Sequence, residues 1–97
     1  MAKHKIRGRM YDLRYVPNAT LPKDDGECDA PTTKAKQIRI AKRCKGERLL
    51  VVLIHEGLHA GLWDLSEEAV TEIAEDLGRM IWREMAGIAG QNYNTKG

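Results

Sequence analysis

The sequence predicts a single α+β domain in which a small twisted β-sheet packs on two antiparallel helices. Three observations support this fold class: two N-terminal segments alternate between apolar and polar residues, a long apolar segment follows them, and the next segment carries an apolar stripe at helical spacing. With 97 residues, 42% of them hydrophobic, the chain can bury one core but not two. We expect one domain over residues 1–97, with its core at about 5–86 and a flexible tail at 87–97.

Strands are predicted at residues 5–16 and 36–42. In the first segment Tyr11, Leu13 and Tyr15 share one side of a strand, and in the second Ile38 and Ile40 do. Between the two segments, prolines and a turn sequence at residues 24–26 interrupt the alternation and predict a loop over about 17–35. A connection of that length is typical of a functional or mobile element.

The long apolar segment predicts a central helix from about residue 47 to residue 61. The run 49–54 would suit a strand by composition, but together with the residues that follow it makes about four helical turns. A second helix is expected after a cap at Asp64 or Ser66 and ends at about Met85 or Ala86. Its apolar residues recur at helical intervals: Val70, Ile73, Ala74, Leu77, Met80 and Ile81.

Charge is divided unevenly along the chain. Residues 1–48 hold 13 Lys and Arg against 6 Asp and Glu, whereas residues 49–97 hold 3 against 8. A basic half can bind nucleic acid, but scattered basic residues with few aromatics favour an ordinary solvated face. Nucleic acid is therefore only weakly supported as a partner.

Several further features bear on the compartment. The longest apolar run has six residues, so we expect no membrane-spanning segment and no membrane partner. The basic N-terminus leads into no apolar signal region, which predicts a cytoplasmic protein. Cys28 and Cys44 have no metal-binding spacing and are expected to be free thiols in that reducing compartment.

The residues that carry chemistry are His55-Glu56-Gly57-Leu58-His59, an HExxH motif in the central helix. On a helix, positions i and i+4 lie on one face, so the two imidazoles can bind one zinc ion. Glu56 can then bind a water molecule whose pKa is lowered by the ion, and act as its general base. Two histidines buried beside a Glu without such a partner would be costly, which favours a metal site over ordinary core packing.

A zinc site of this kind needs a third protein ligand. His4, the remaining histidine, lies in a terminus expected to be flexible and is a poor candidate. Leu62 and Leu65 occupy the positions that the extended motif HExxHxxGxxH would require as Gly and His, which excludes that motif. The remaining candidates are acids of the second helix: Glu67, Glu68, Glu72 and Glu75.

Helical geometry separates these acids. At about 100° per residue, Glu67 falls about 60° from Val70, at the edge of the packed stripe, while the other three face away from the core. A short connection also places the first turn of the second helix beside His59. We therefore predict Glu67 as the third ligand, with Glu68 as the runner-up. Asp64 is expected to be a cap or a partner to a histidine.

These motifs resemble the gluzincin group of zinc metallopeptidases. Within that group the chain resembles small bacterial and phage proteins related to the ImmA/IrrE-type peptidase domain, with some similarity to the SprT-like group, over about residues 36–82. Residues 53–60 are similar to the active-site helix and 38–40 to the strand before it. Residues 67–74 are similar to a Glu-x-x-Ala-Asn-x-Phe-Ala stretch whose first Glu binds metal, although Val70 and Thr71 replace Ala-Asn. The resemblance implies a minimal zincin-like fold and a ligand role for Glu67.

The sequence thus predicts a zinc-dependent metallopeptidase that acts on a peptide or protein substrate. One Zn²⁺ per chain is expected on His55, His59 and Glu67, with Glu56 as the catalytic base. The resemblance implies a substrate extended along an edge strand, either residues 37–41 or a strand from the 17–35 loop. The donor to the transition-state oxyanion is left open among Tyr11, Tyr15, Arg83 and Tyr93. Trp63 and Trp82 are expected to be packing residues.

The alternative is a non-catalytic, zinc-stabilised interaction module whose basic N-terminal half binds a protein or nucleic-acid partner. Glu56 argues against it, because a structural zinc site needs no base and usually closes its fourth position with a protein ligand. The sequence leaves the oligomeric state open.

Overall fold

The computed structural model describes the main chain of residues 2–94 and the side chains of residues 2–87. Its elements confirm the α+β class. In chain order they are β1 (Ala2–Ile6), β2 (Arg9–Val16), a 3-10 turn (Asn18–Thr20), β3 (Gly26–Cys28), β4 (Gln37–Ala41), α1 (Gly46–Gly61) and α2 (Glu67–Asn94).

The four strands form one mixed sheet in the order β1-β2-β4-β3. β2 and β4 run parallel, and the other two pairs are antiparallel. β1 and β3 are therefore the edges, and β4 is paired on both sides. The expectation that residues 37–41 form the edge strand is wrong, whereas the other candidate, a strand from the 17–35 loop, corresponds to β3.

The N-terminal segment forms a hairpin instead of the single strand predicted at 5–16. Arg7 and Gly8 have positive φ angles of 50° and 81°, as a two-residue hairpin turn requires. His4, in β1, pairs with Tyr11 of β2. The prediction that the N-terminus is flexible is therefore wrong. Hydrogen bonds between main chains order β1, although most of its side chains are exposed. A strand with exposed side chains shows no alternation of apolar and polar residues, so the sequence pattern did not predict it.

The elements form three layers. α1 lies on one face of the sheet against β1, β3 and β4, and α2 packs against α1. Only one of the two predicted helices therefore packs on the sheet, because α1 is apolar on two opposite sides whereas α2 has a single packed stripe. The core between the sheet and α1 contains Tyr11, Leu21, Ile38, Ile40, Ala41, Cys44, Val52 and Ala60.

A close helix crossing and a short connection set the position of α2. A Cβ atom at Gly78 would overlap Cγ2 of Val51, so the glycine permits the observed approach of the two helices. The Oγ of Ser66 accepts a hydrogen bond from the N–H of Ala69 at 3.1 Å and caps α2, which selects Ser66 over Asp64. The crossing and the cap together place the first turn of α2 beside the last turns of α1.

α2 extends well past its predicted end at Met85 or Ala86. Its 28 residues reach Asn94, since Gly87 and Gly90 cost only about 1 kcal/mol each in a helix and no proline interrupts it. Of the tail expected to be flexible, residues 87–94 have helical main chain and residues 95–97 lie outside the described part. Neither helix, over the described residues, is long and apolar enough to cross a bilayer.

Candidate metal centre

The two histidines of the HExxH motif occupy one face of α1, as their spacing predicts. The ring centroids of His55 and His59 are 4.9 Å apart, and their planes are inclined at 68°. Both side chains are about four-fifths buried, with exposures of 20% and 18%. Burial is the main cause that lowers the pKa of His55, which favours the neutral imidazole that a metal requires.

Glu67 lies directly opposite both imidazoles. Its two carboxylate oxygens are 3.1 Å from Nε2 of His55 and 2.9 Å from Nε2 of His59. Glu67 is the first residue of α2, so the cap at Ser66 fixes the main chain from which it projects. The runner-up Glu68 is exposed and lies outside this cluster.

The cluster suits a tetrahedral zinc ion. Bonds of about 2.0–2.2 Å to nitrogen and oxygen place tetrahedral ligand atoms about 3.3–3.6 Å apart. The observed separations of 3.1 and 2.9 Å are a few tenths of an ångström shorter, so small side-chain shifts would admit the ion. All three donor atoms lie within 4.8 Å of one another. Within residues 2–94 no other group of three His, Cys, Asp or Glu side chains has comparable spacing. Three protein ligands are the number typical of catalytic zinc sites.

Glu56 projects from α1 toward the sheet and is only 5% exposed. Burial, supplemented by the negative charges of Glu67, Glu27 and Asp24, raises the pKa of Glu56 to about 7. No ion pair among the described residues involves its carboxylate. A buried, unpaired carboxyl group beside a candidate metal site has the properties of a general base.

An open cleft of about 660 Å³ contains these groups. Its walls are α1, the first turns of α2, and β3 together with residues 23–25. Six carboxyl groups and two basic side chains line the cleft, so its field is strongly negative. The charged lining residues are Lys23, Asp24, Asp25, Glu27, Arg48, Glu56, Glu67 and Glu75.

β3 presents unpaired main-chain groups to solvent at the free edge of the sheet. The N–H of Ala41 donates to the carbonyl of Asp25, and the N–H of Asp29 donates to the carbonyl of Gln37, on either side of the β3–β4 ladder. In an antiparallel pair the N–H and C=O of one residue point to the same side, and this side alternates from residue to residue. Since Asp25 and Asp29 bond to β4, the N–H and C=O of Gly26 and Cys28 point away from it. β3 therefore has one free edge that an extended chain can join.

Gly26 brings β3 unusually close to α1. A Cβ atom at this position would lie 3.0 Å from Oε2 of Glu56 and 3.0 Å from Cγ1 of Val52. Any larger residue would displace the strand or the carboxylate. The sequence marks Gly26 only as a turn residue, and the closeness of this contact follows from the tertiary structure.

The two cysteines are free thiols, as predicted. Cys28 lies in β3 and lines the cleft, but it is outside the cluster of donors that could hold a metal ion. Burial is the main cause that raises its pKa to about 12, and the negative charge of Glu56 adds to the effect. The thiol is therefore protonated at neutral pH.

Three of the four predicted oxyanion donors lie outside the described lining of the cleft. Tyr11 is 1% exposed and donates its hydroxyl to the carbonyl of Ala60 at 3.4 Å, on the sheet side of α1. Tyr15 and Arg83 are absent from the described lining of the cleft, and the side chain of Tyr93 lies outside the described residues. Arg48 is a basic residue that does line it, where Nε donates to Asp25 at 2.9 Å.

Trp63 lies in the cleft and is not the packing residue that the sequence predicts. Its ring is 44% exposed, and its centroid is 6.3 Å from that of His59 in an edge-on arrangement. Trp82 packs near the start of α1, since a Cβ at Gly46 would lie 3.8 Å from its Cη2. No periodicity in the short connection 62–66 could distinguish a cleft residue from a core residue there.

Comparison with known proteins provides no relative for this arrangement: no family model, curated protein or solved structure matches the chain.

Proposed function

We propose that this protein is a zinc-dependent metallopeptidase of the gluzincin type. The observation that carries the proposal is the position of Glu67, whose carboxylate lies within 3.1 Å of both HExxH histidines in a cleft that also contains Glu56. A His/His/Glu donor set with a buried carboxyl group beside it is the arrangement that metal-assisted hydrolysis needs. One ion would be held by His55, His59 and Glu67.

A bound zinc ion would supply Lewis acidity, polarising the scissile carbonyl and lowering the pKa of a water molecule. Glu56 holds that water and takes one of its protons onto a carboxylate oxygen. The water oxygen bonds to the carbonyl carbon, the C–N bond breaks, and the proton on Glu56 passes to the leaving nitrogen. The burial of Glu56 and its lack of an ion pair leave its carboxylate free for both transfers.

β3 supports an extended peptide as the substrate. The outward peptide groups of Gly26 and Cys28 would pair with substrate main chain, as in β-strand addition to a sheet edge. Antiparallel pairing is slightly more stable than parallel pairing, so we propose that the substrate runs antiparallel to β3. Glu56 lies against the same strand at Gly26, which places the proposed base next to the bound chain.

The charge of the cleft favours basic peptides. Asp25 and Glu27 are neutralised by ion pairs with Arg48 and Arg39, whereas Asp24 and Glu75 have no ion pair among the described residues. These two exposed acids line the cleft on opposite walls, one before β3 and one on α2. We therefore propose that lysine or arginine side chains near the scissile bond improve binding.

The interaction-module alternative has less support from the basic N-terminal half. Its arginines at positions 14, 39, 43 and 48 are all in intramolecular ion pairs, which reduces the charge available to a phosphate backbone. A salt-dependent shift of duplex DNA, with no binding of a hydroxamate to the zinc-loaded protein, would favour the alternative over the peptidase.

The test compares zinc-loaded wild type with Glu56→Gln on a pool of unstructured synthetic peptides, with products identified by mass spectrometry. Glu56→Gln should keep its zinc and lose about 100- to 10,000-fold in turnover, because only the base is removed. Glu68→Gln, a change of the same type on an exposed residue outside the cluster, is the matched control and should retain activity. Absence of cleavage by zinc-loaded wild type, or equal cleavage by Glu56→Gln, contradicts the proposal.

A further inference from the structure

The helix pair has an apolar face on the side opposite the cleft, formed by Leu50, Ile54, Ile73, Leu77 and Met80, which we call the back face. On α2, Ile73, Leu77 and Met80 are 37%, 36% and 53% exposed. On α1, Leu50 and Ile54 are half-buried. Large apolar side chains exposed on successive turns of one helix face are typical of an interaction surface.

Helical geometry places the back face and the cleft on opposite sides. At about 100° per residue, the back-face residues of α2 are centred about 150° from Glu67, Thr71 and Glu75, which line the cleft. On α1, Leu50 and Ile54 lie about 140° from His55 and His59. Since both helices turn one flank to the cleft, their apolar flanks lie together on the other side.

No described strand or helix of the same copy packs extensively over this surface. α2 makes its extensive contacts with α1, while the sheet lies on the far side of α1. Among the residues whose side chains are described, the back face is bounded toward the C-terminal end of α2 by the exposed Glu84. Two antiparallel helices with one open apolar side form half of a four-helix bundle.

The charges beside the back face identify a second copy as its partner. Glu72, Asp76, Arg79 and Arg83 follow one flank of α2, on the side away from α1, and all four are exposed. Arg79 also pairs with Asp76 of its own chain at 3.4 Å. In a two-fold antiparallel pair the same flank of each helix faces its counterpart. With the axis between Leu77 and Gly78, Arg83 and Glu72 of the second copy lie about 8 Å from the axis along the helix, and Arg79 and Asp76 of the second copy lie about 2 Å from it.

We propose that two copies of this chain associate through their back faces as a two-fold, antiparallel four-helix bundle. In this register Leu77 of each copy lies beside the two-fold axis, Arg83 lies level with Glu72 of the second copy, and Arg79 lies level with Asp76 of the second copy. Acidic residues that precede basic ones along one helix match only an antiparallel partner, so the pattern is self-complementary. Both clefts face outward and stay open. The inference does not depend on the proposed peptidase activity.

The test is the molar mass of the full-length chain by light scattering after gel filtration, at micromolar concentration. Wild type should have twice the chain mass of 10.9 kDa. Leu77→Glu should be monomeric because it places a charge at the centre of the bundle. Met85→Glu, the same change at a residue that is 52% exposed on another side of α2, should stay dimeric. Circular dichroism checks that each variant remains folded.

A charge exchange tests the register independently of the apolar contacts. Arg83→Glu places an acid level with Glu72 of the second copy and should weaken the dimer by about tenfold or more. Adding Glu72→Lys to that variant restores opposite charges and should restore the dimer. A monomeric or higher-order wild type, a dimeric Leu77→Glu, or no recovery in the variant that combines Arg83→Glu with Glu72→Lys overturns the proposal.

Discussion

Gly26 of β3 lies against Glu56 of α1 so closely that a Cβ atom on the glycine would be 3.0 Å from the carboxylate oxygen Oε2. This contact joins the sheet edge to the proposed catalytic base. It makes the position of the carboxylate depend on the size of residue 26.

Gly26→Ala should displace Glu56 or lift β3 while leaving the three donor residues in place. Overpacking of this kind typically costs about 1–3 kcal/mol of unfolding free energy. We expect unchanged zinc content, reduced stability in urea, and, if the proposed activity holds, a lower kcat. If Gly26→Ala had the same stability and kcat as wild type, the contact between residue 26 and Glu56 would not constrain the carboxylate, and the prediction would be wrong.

Gly57→Ala should have the opposite effect on stability. A Cβ at Gly57 meets nothing within 4 Å, and the residue is inside α1. Alanine in place of a helix-interior glycine stabilises by about 1 kcal/mol. In urea unfolding, the free energy of unfolding should therefore rise in Gly57→Ala and fall in Gly26→Ala. Loss of stability in both variants would contradict the open space at position 57.

Glu67→Ala should remove zinc from the protein. The carboxylate is one of three proposed ligands, so we expect zinc affinity to fall by about 100-fold or more, measured by competition with a chromophoric chelator. Glu68→Ala removes a neighbouring exposed acid of the same helical turn and should bind zinc as wild type does. Equal affinities in the two variants would exclude Glu67 as a ligand.

Cys28 should resist alkylation in the folded protein. Its pKa is raised to about 12, so the thiolate fraction increases only as pH approaches that value. At pH 8 its reaction with iodoacetamide should be about 1000-fold slower than that of a thiol of ordinary pKa. Mass spectrometry of the peptide containing Cys28, with urea-unfolded protein as the control, measures the ratio. Rapid modification of the folded chain would contradict the buried environment.

Asp29 should contribute stability that is lost in acid. Its carboxylate accepts hydrogen bonds from the Arg39 guanidinium and, at 2.9 Å, from the N–H of Gln37. The hydrogen bond from Arg39 is the main cause that lowers the pKa of Asp29. A folded-state pKa below the unfolded one stabilises the protein above the unfolded pKa, and this stability disappears as pH falls through the folded value.

Asp29→Asn should therefore cost about 1–2 kcal/mol at pH 7, with a smaller difference from wild type at pH 3. Asp64→Asn is the control, because Asp64 is exposed and has no ion pair among the described residues, so this change should alter the free energy of unfolding by less than about 0.5 kcal/mol. Urea unfolding at the two pH values checks both variants. A constant difference for Asp29→Asn would exclude titration of this carboxylate as the cause.

Features that depend on short-range geometry were predictable from the sequence. The HExxH spacing places His55 and His59 on one helical face whatever surrounds the helix, because four residues make about one turn. The choice of Glu67 among the acids of α2 followed from the short connection between the helices and from its angle on the helical wheel. The structure places its carboxylate beside both histidines. Strand β4 and the start of α1 also agree with their sequence patterns, since apolar alternation and apolar length are local signals.

Features that depend on pairing between distant segments were not predictable. β3 has three residues, Gly-Glu-Cys, too few for any period, and it is a strand only because β4 supplies hydrogen bonds along one side. β1 is ordered by β2 in the same way, although four of its five side chains are exposed. Trp63 illustrates a further limit, because a connection between helices has no periodicity that separates cleft from core.

The sequence by itself determined the α+β class, the placement of the two histidines on one helical face and the acid that faces them, because each follows from local patterns and the helical repeat over a few residues. Only the tertiary structure decided that β3 is the free edge, that Gly26 lies against Glu56, and that α2 packs on α1 and leaves an apolar back face. Those relationships depend on which surfaces meet when distant segments bury their apolar area, and no local pattern of residues encodes that choice.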